Sequence, residues 1–207
     1  MLCRAARIAA LALVLTALCA CTAIPPSSKL TEQAVSVRGV LALVWLGNSS
    51  GLDAVRVSLP SQSGYLRQSL RERLPNTFRK NGIPVSEYRD LQLPLTQLDQ
   101  LDKLWLSSPA LQGPTSHVFV LTAQRVRTYQ SASTVEYEAV LWDVQTRRLV
   151  WKGSPSSPAI GNRSSQDADK LIGAVLRALQ RDGVVALPGG HPIDVDGIEI
   201  PATKLLF

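Results

Sequence analysis

The spacing of apolar residues changes period several times along the chain, and each change predicts an element. Residues 35–46, VSVRGVLALVWL, are dense in β-branched and aliphatic side chains, with Gly39 as the one break; this is the pattern of a strand buried on both faces. After a turn at 47–51, Val55, Val57 and Leu59 alternate with Arg56 and Ser58, a half-buried strand stopped by Pro60. The period then lengthens. Leu66, Leu70, Leu74 and Phe78 recur at helical spacing while Arg67, Arg71, Arg73, Arg79 and Lys80 keep largely off that stripe, which predicts an amphipathic helix over 63–81. Ser63 is its expected N-cap and Gly82 its first residue beyond the end, and Pro75, lacking an N–H, should kink or split it. Residues 83–85 resume extended. The leucines between 91 and 106 predict a second, less regular helix from about Thr96, with Asp99 at capping-box spacing.

Between residues 116 and 152 the period drops to two again. HVFVLTAQRVRTY and TVEYEAVLWDV flank the polar loop 130–133, and LVWK follows a turn, which predicts three antiparallel strands. In the middle strand Val135, Tyr137, Ala139 and Leu141 share one face, and Glu136, Glu138, Val140 and Trp142 the other. A proline- and serine-rich loop at 154–163 leads to a helix whose stripe is Ala168, Leu171, Ile172, Val175 and Leu179. Ser164 with Asp167 is spaced as a capping box, Asp167 and Asp169 sit in the positive first turn, and Gly183 closes the far end. Residues 188–207 show little period and read as an irregular tail. The elements together predict an α/β (α+β) sandwich: one mixed, largely antiparallel sheet packed by two or three helices.

The N-terminal pattern is of another kind. Arg4 and Arg7 precede an uncharged apolar run over 8–18, too short to span a bilayer stably, and small residues follow, the plan of a secretory signal. Leu18-Cys19-Ala20-Cys21 resembles the bacterial lipobox, which implies cleavage after Ala20 and a diacylglyceryl group on the Cys21 sulfur, usually with a further acyl chain such as palmitate on its amine. One chain anchors only marginally at ~0.8 kcal/mol per buried methylene, whereas two or three hold a protein essentially permanently. In the enteric lipoproteins this resembles, Asp after the cysteine favours the inner membrane, so Thr22 implies the outer membrane, with the domain facing the periplasm. The expected organisation is therefore 1–20 signal peptide, 21–34 lipidated anchor and flexible tether, 35–187 periplasmic domain, and 188–207 tail.

That reading changes what composition allows. Of the 3 cysteines, Cys3 and Cys19 leave with the signal and Cys21 carries lipid, so the mature domain is expected to have no disulfide, no cysteine metal site and no thiol nucleophile. Loss of Arg4 and Arg7 lowers the formal charge from +6 to about +4, and export removes nucleic acid as a natural partner.

The order strand, helix, meander and helix, with the turn Asp143-Val-Gln-Thr146-Arg-Arg148-Leu-Val-Trp151, resembles small domains of bacterial envelope lipoproteins. These include the lipoproteins that activate penicillin-binding proteins, and the N-terminal domain of the Tol-system propeller protein is similar. The resemblance covers about residues 35–185. It implies the sandwich and a protein-interaction role, and carries over no binding residues.

Candidate chemistry is sparse. His117 opens a strand and His191 lies between Gly190 and Pro192; neither belongs to an H-x-x-x-H pair, and no G-x-S-x-G elbow or S-x-x-K set is present. Asp194, Asp196 and Glu199 form the most site-like acidic cluster, yet the series stops short of a calcium loop. Glu136 and Glu138 read as a wet strand face, 47–51 as a turn without the phosphate-loop lysine, and the arginines of 63–81 as a solvated helix face. Trp142 and Trp151 flank one turn and should pack across the strands. The expectation is a non-enzymatic accessory or assembly factor acting by contact with another envelope protein. It has no catalytic residue, metal or cofactor, and the membrane is a partner through Cys21. The alternative is a lipid- or cell-wall-ligand-binding auxiliary lipoprotein of a transport system.

Overall fold

A computed structural model of the chain describes residues 26–33, 35–47, 63–91, 105, 109–129, 132–158 and 164–185. In chain order these form β1 (Ser27–Lys29), β2 (Val40–Trp45), α1 (Ser63–Lys80), β3 (Val85–Asp90), a short 3-10 turn (Pro109–Gln112), β4 (His117–Tyr129), β5 (Ala132–Asp143), β6 (Arg148–Gly153), β7 (Ser156–Pro158) and α2 (Ser164–Arg181). The strands make one sheet in the order β1-β6-β5-β4-β2-β3, with β7 on the outer half of β5. β2 runs parallel to both β3 and β4, while β4/β5, β5/β6, β6/β1 and β5/β7 are antiparallel. The fold is the expected α+β arrangement with a mixed, largely antiparallel sheet, and two long helices pack on it.

Both helices cover the same face. Leu66, Leu70, Leu74 and Phe78 of α1 and Ala168, Leu171, Ile172, Val175 and Leu179 of α2 are buried with Val40, Ala42 and Val44 of β2, Phe119 and Leu121 of β4, and Val135, Tyr137, Ala139 and Leu141 of β5. Phe78 meets Phe119 edge-on, with centroids 5.3 Å apart and planes at 61°. On the opposite face, among the described residues, Leu41, Leu43, Val118 and Val120 pack with Trp105. β2 is therefore buried on both sides, as its unbroken apolar run requires.

α1 passes through Pro75 unbroken. The expected interruption does not occur because one missing backbone bond, ~3 kcal/mol, is outweighed by burial of four large side chains at ~1.5–3 kcal/mol each. Both helices end in a Schellman motif. Ile83 N donates to Phe78 O and Gly82 N to Arg79 O; Val184 N donates to Leu179 O and Gly183 N to Gln180 O. Gly82 and Gly183 have φ of 77° and 65°, the left-handed geometry that favours glycine there. Between the helices, Arg73 Nη1 reaches both Asp169 oxygens, at 2.9 and 2.7 Å, and the Asp169 side chain is only 4% exposed.

Three further expectations are changed. The strand predicted over 35–46 begins only at Val40, because the preceding backbone is held by the loop before β4: Arg38 N donates to Ser116 Oγ (2.8 Å), and Ser116 N and His117 N both donate to Gly39 O. Ser27–Lys29, inside the stretch expected as tether, form edge strand β1 on β6. Ser156–Pro158, inside the expected loop, pair with Thr134, Val135 and Glu136. Leu18, Cys19, Ala20 and Cys21, the strand over 55–59, the helix from Thr96 and its Asp99, and the tail with His191, Asp194, Asp196 and Glu199 lie outside the described residues, as do the side chains of Ser63 and Ser164. No helix among the described residues is long and apolar enough to cross a membrane.

Candidate functional site

At the end of the sheet where β2 and β4 begin and β5 finishes, residues 30–33 and 35–38, the loop 113–117 and the turn 143–150 line an open cleft of 1010 Å³. Its walls include Thr31, Gln33, Arg38, Ser116, His117 and Arg148. This is the amino end of the parallel strands, opposite the carboxyl end where open α/β sheets usually hold ligands.

The turn is built by Asp143. Its Oδ1 accepts from Thr146 N at 2.6 Å and Thr146 Oγ1 at 2.8 Å, closing an Asx-type loop in which Arg147 takes a left-handed backbone (φ 55°). Burial pushes the Asp143 carboxyl up, but the two bonds from Thr146 and the nearby imidazole more than offset it and hold the group below its usual range. His117 is 2% exposed, and burial depresses its pKa against the opposing pull of Asp143, so the ring is neutral near pH 7.

Ser116, His117 and Asp143 come together without forming a nucleophilic triad. Ser116 Oγ lies 2.8 Å from His117 Nδ1, and His117 Nε2 is 3.9 Å from Asp143 Oδ2, beyond hydrogen-bond length. Ser116 Oγ also accepts from Arg38 N at 2.8 Å and Gly39 N at 3.4 Å, so it ties the segment before β2 to β4. The reactive-looking group is joinery between three stretches of backbone. Gly39 belongs to the same joint: a Cβ there would stand 3.0 Å from Pro114 O. Around it Arg38 and Arg148 are exposed.

The other sequence candidates fall elsewhere. Glu136 pairs with Arg125 and Glu138 with Lys152, which neutralises the outward face of β5. Trp151 does not pack against Trp142 as a cross-strand pair: it is wholly buried in the helix-side core, whereas Trp142 packs with the cluster on the opposite face. The register explains this, because an irregularity between Leu141 and Trp142 puts Trp151 opposite Leu141 and Trp142 opposite Leu149.

Two of the helix arginines have specific partners at the carboxyl end of β2 and β3. Arg71 lies 3.1 Å from Asp90, whose side chain is 7% exposed, and Arg67 Nη2 donates to Gly47 O at 3.2 Å. Tyr88 donates to Asp90 at 3.1 Å, and burial with the adjacent carboxylate pushes its hydroxyl well above the usual range. Among the described residues no group of three His, Cys, Asp or Glu side chains is placed to hold a metal.

No protein-family model matches the chain. No curated protein matches it either. Among solved structures it is similar to the PelC dodecamer from Paraburkholderia phytofirmans, at 18% identity over 75% of this chain and 95% of that chain, TM-score 0.39. It is also similar to lipoprotein GNA1162 from Neisseria meningitidis, at 17% identity over 69% and 98%, TM-score 0.33. A third is protein XCC0632 from Xanthomonas campestris, at 13% identity over 78% and 97%, TM-score 0.33. These names include neither a penicillin-binding-protein activator nor a Tol-system propeller domain.

Proposed function

We propose that this chain is a lipid-anchored lipoprotein of the bacterial outer membrane that works by contact, without catalysis, and that the cleft beside His117 receives a segment of an envelope protein. The observation that carries this reading is the cleft itself. It is large enough for several side chains, its one reactive-looking cluster is consumed in holding the backbone together, and its rim presents Arg38 and Arg148 to an incoming acidic or hydrogen-bonding chain. Its walls mix polar groups with Leu30, Val35, Val144 and Leu149 in about equal measure, which suits a peptide better than an acyl chain.

The test is a photoreactive residue placed at Gln145, on the exposed turn, with a control at Tyr65, which is 67% exposed on α1. Irradiation of intact cells should give a discrete adduct from the Gln145 position and none from Tyr65. Equal crosslinking from both sites, or none from either, would remove the assignment. The anchor is checked separately: Cys21→Ser should abolish incorporation of labelled palmitate.

A further inference from the structure

The cleft opens where two strands part. β1 runs beside β6 only over 151–153, and Leu30 N still donates to Val150 O at 2.8 Å. The chain then bends at 32–33, where Gln33 N donates to Thr31 Oγ1 at 3.2 Å. It is caught again at Arg38 N and Gly39 N, which both donate to Ser116 Oγ. Among the described residues none from 31 to 37 hydrogen-bonds to the sheet, so this stretch is a strap held at its two ends.

On one side of β6, Arg148 and Leu149 pair with Asp143 and Trp142 of β5; on the other, no described strand pairs with them. These two residues, Leu30 and the strap all line the cleft. A chain lying in the fork therefore has β6 backbone on one side and strap backbone on the other, neither of them taken up by a described strand. Short strands suffice on this sheet, since β1 and β7 are three residues each. Consecutive strand residues point to opposite faces, so beside Arg148 an incoming chain is matched by a carboxylate and beside Leu149 by an apolar side chain. Arg38 and Arg148 are exposed and pair with no carboxylate among the described residues. Of the two acids on the wall, Asp143 is held by Thr146, which leaves Glu32 alone against two arginines. Leu30 is 50% exposed, and among the described residues Tyr65 is the other large apolar side chain left so open.

We infer that the cleft takes its partner as an added strand: an extended segment of alternating acidic and apolar residues enters the fork between the strap and β6 and pairs its backbone alongside Leu149 and Arg148. The inference rests on the reading of the cleft as a receptor for a segment of an envelope protein, and names the chemistry of that segment. Its carboxylates lie on Arg38 and Arg148, and its apolar side chains cover Leu30 and Leu149. The added strand continues the line that β1 leaves at Leu30, so main-chain bonds supply affinity and the two arginines select for acidic sequence.

The experiment measures hydrogen exchange by mass spectrometry on the mature protein in detergent micelles. The probe is the blocked heptapeptide Val-Asp-Val-Asp-Val-Asp-Val, compared with its lysine counterpart and with a form N-methylated at alternate valines. With the aspartate peptide at about ten times its Kd, exchange over 148–150 should slow by about tenfold, the factor 1 + [L]/Kd, while β3 at the other edge of the sheet stays unchanged. The lysine and N-methylated peptides should give no slowing, and Arg148→Glu or, as a second variant, Arg38→Glu should raise the Kd about tenfold. No slowing at 148–150, equal slowing by either control peptide, or equal slowing at β3 overturns the inference. So does protection at 148–150 without peptide that rises with protein concentration, which assigns the edge to a second copy, or that is lost when residues 188–207 are removed, which assigns it to the chain's own tail. A discrete Gln145 adduct in cells without slowing by the aspartate peptide overturns the added strand and leaves the receptor reading standing. Absence of that adduct overturns both.

Discussion

Asp182→Ala tests what fixes the N-terminal segment to the domain. Asp182 Oδ2 accepts from Ser27 Oγ at 2.5 Å and from Trp151 Nε1 at 2.8 Å, and Oδ1 accepts from Arg181 Nε at 2.8 Å; the side chain is 10% exposed. Truncation leaves the indole N–H of Trp151, a wholly buried side chain, without an acceptor, at ~1–3 kcal/mol. The lost bond to Ser27 adds about 1 kcal/mol, while Arg181 is exposed enough that its pairing contributes little. The expected loss is about 3 kcal/mol, or a Tm lower by roughly 6–12 °C for a domain of this size. Urea titration followed by tryptophan fluorescence measures it. Asp182→Asn keeps an acceptor oxygen and should cost only about 1 kcal/mol. Burial raises the Asp182 carboxyl, but the bonds from Arg181, Ser27 and Trp151 more than offset this and hold it below 3.8, so its contribution is complete above that pH and is lost as pH falls through the lower folded value. An alanine variant within about 0.5 kcal/mol of the parent, or an asparagine variant as unstable as alanine, would refute the reasoning.

Further outcomes follow from packing and charge. Gly153→Ala places a Cβ 2.6 Å from Trp151 Cη2 and should cost ~1–3 kcal/mol by urea titration, whereas Gly64→Ala meets nothing within 4 Å and should stabilise by up to ~0.5–1 kcal/mol. Arg73→Ala strands the buried Asp169 carboxylate and should cost roughly 3 kcal/mol by the same assay. His117 has a folded pKa below its ordinary 6.5, so it takes up its proton at lower pH than the unfolded chain does. Stability from this group is full above pH 6.5 and declines as pH falls from there toward the folded value, and His117→Asn should flatten the slope in Tm measured between pH 7 and 5.

Much of the fold can be read locally. The stripes of α1 and α2, their Gly82 and Gly183 ends, and the two faces of β5 are as the sequence predicts, because each depends on side chains a few residues apart on one element. β1 carries no such signal: three residues, Ser27–Lys29, show no period, and only the open edge of β6 makes them a strand. The continuity of α1 through Pro75 is likewise a tertiary outcome, since the compensating burial is against strands distant in sequence.

The cleft shows the division most clearly. The sequence by itself predicts that residues 117–129 and 134–144 pair as a hairpin about the loop 130–133; in the structure the ladder already starts with Tyr129 opposite Ala132, and an unbroken register from there would place His117 opposite Val144. An irregularity between Ala123 and Arg125 shifts the ladder by one and brings His117 to Asp143 instead. Ser116 is then held against Gly39, across 77 positions of chain. Periodicity reports which face of an element is apolar, because that is a property of neighbours along the chain. Which polar groups meet at the end of a sheet depends on register, bulges and the burial of remote strands, and those exist only once the whole sheet has closed around its core.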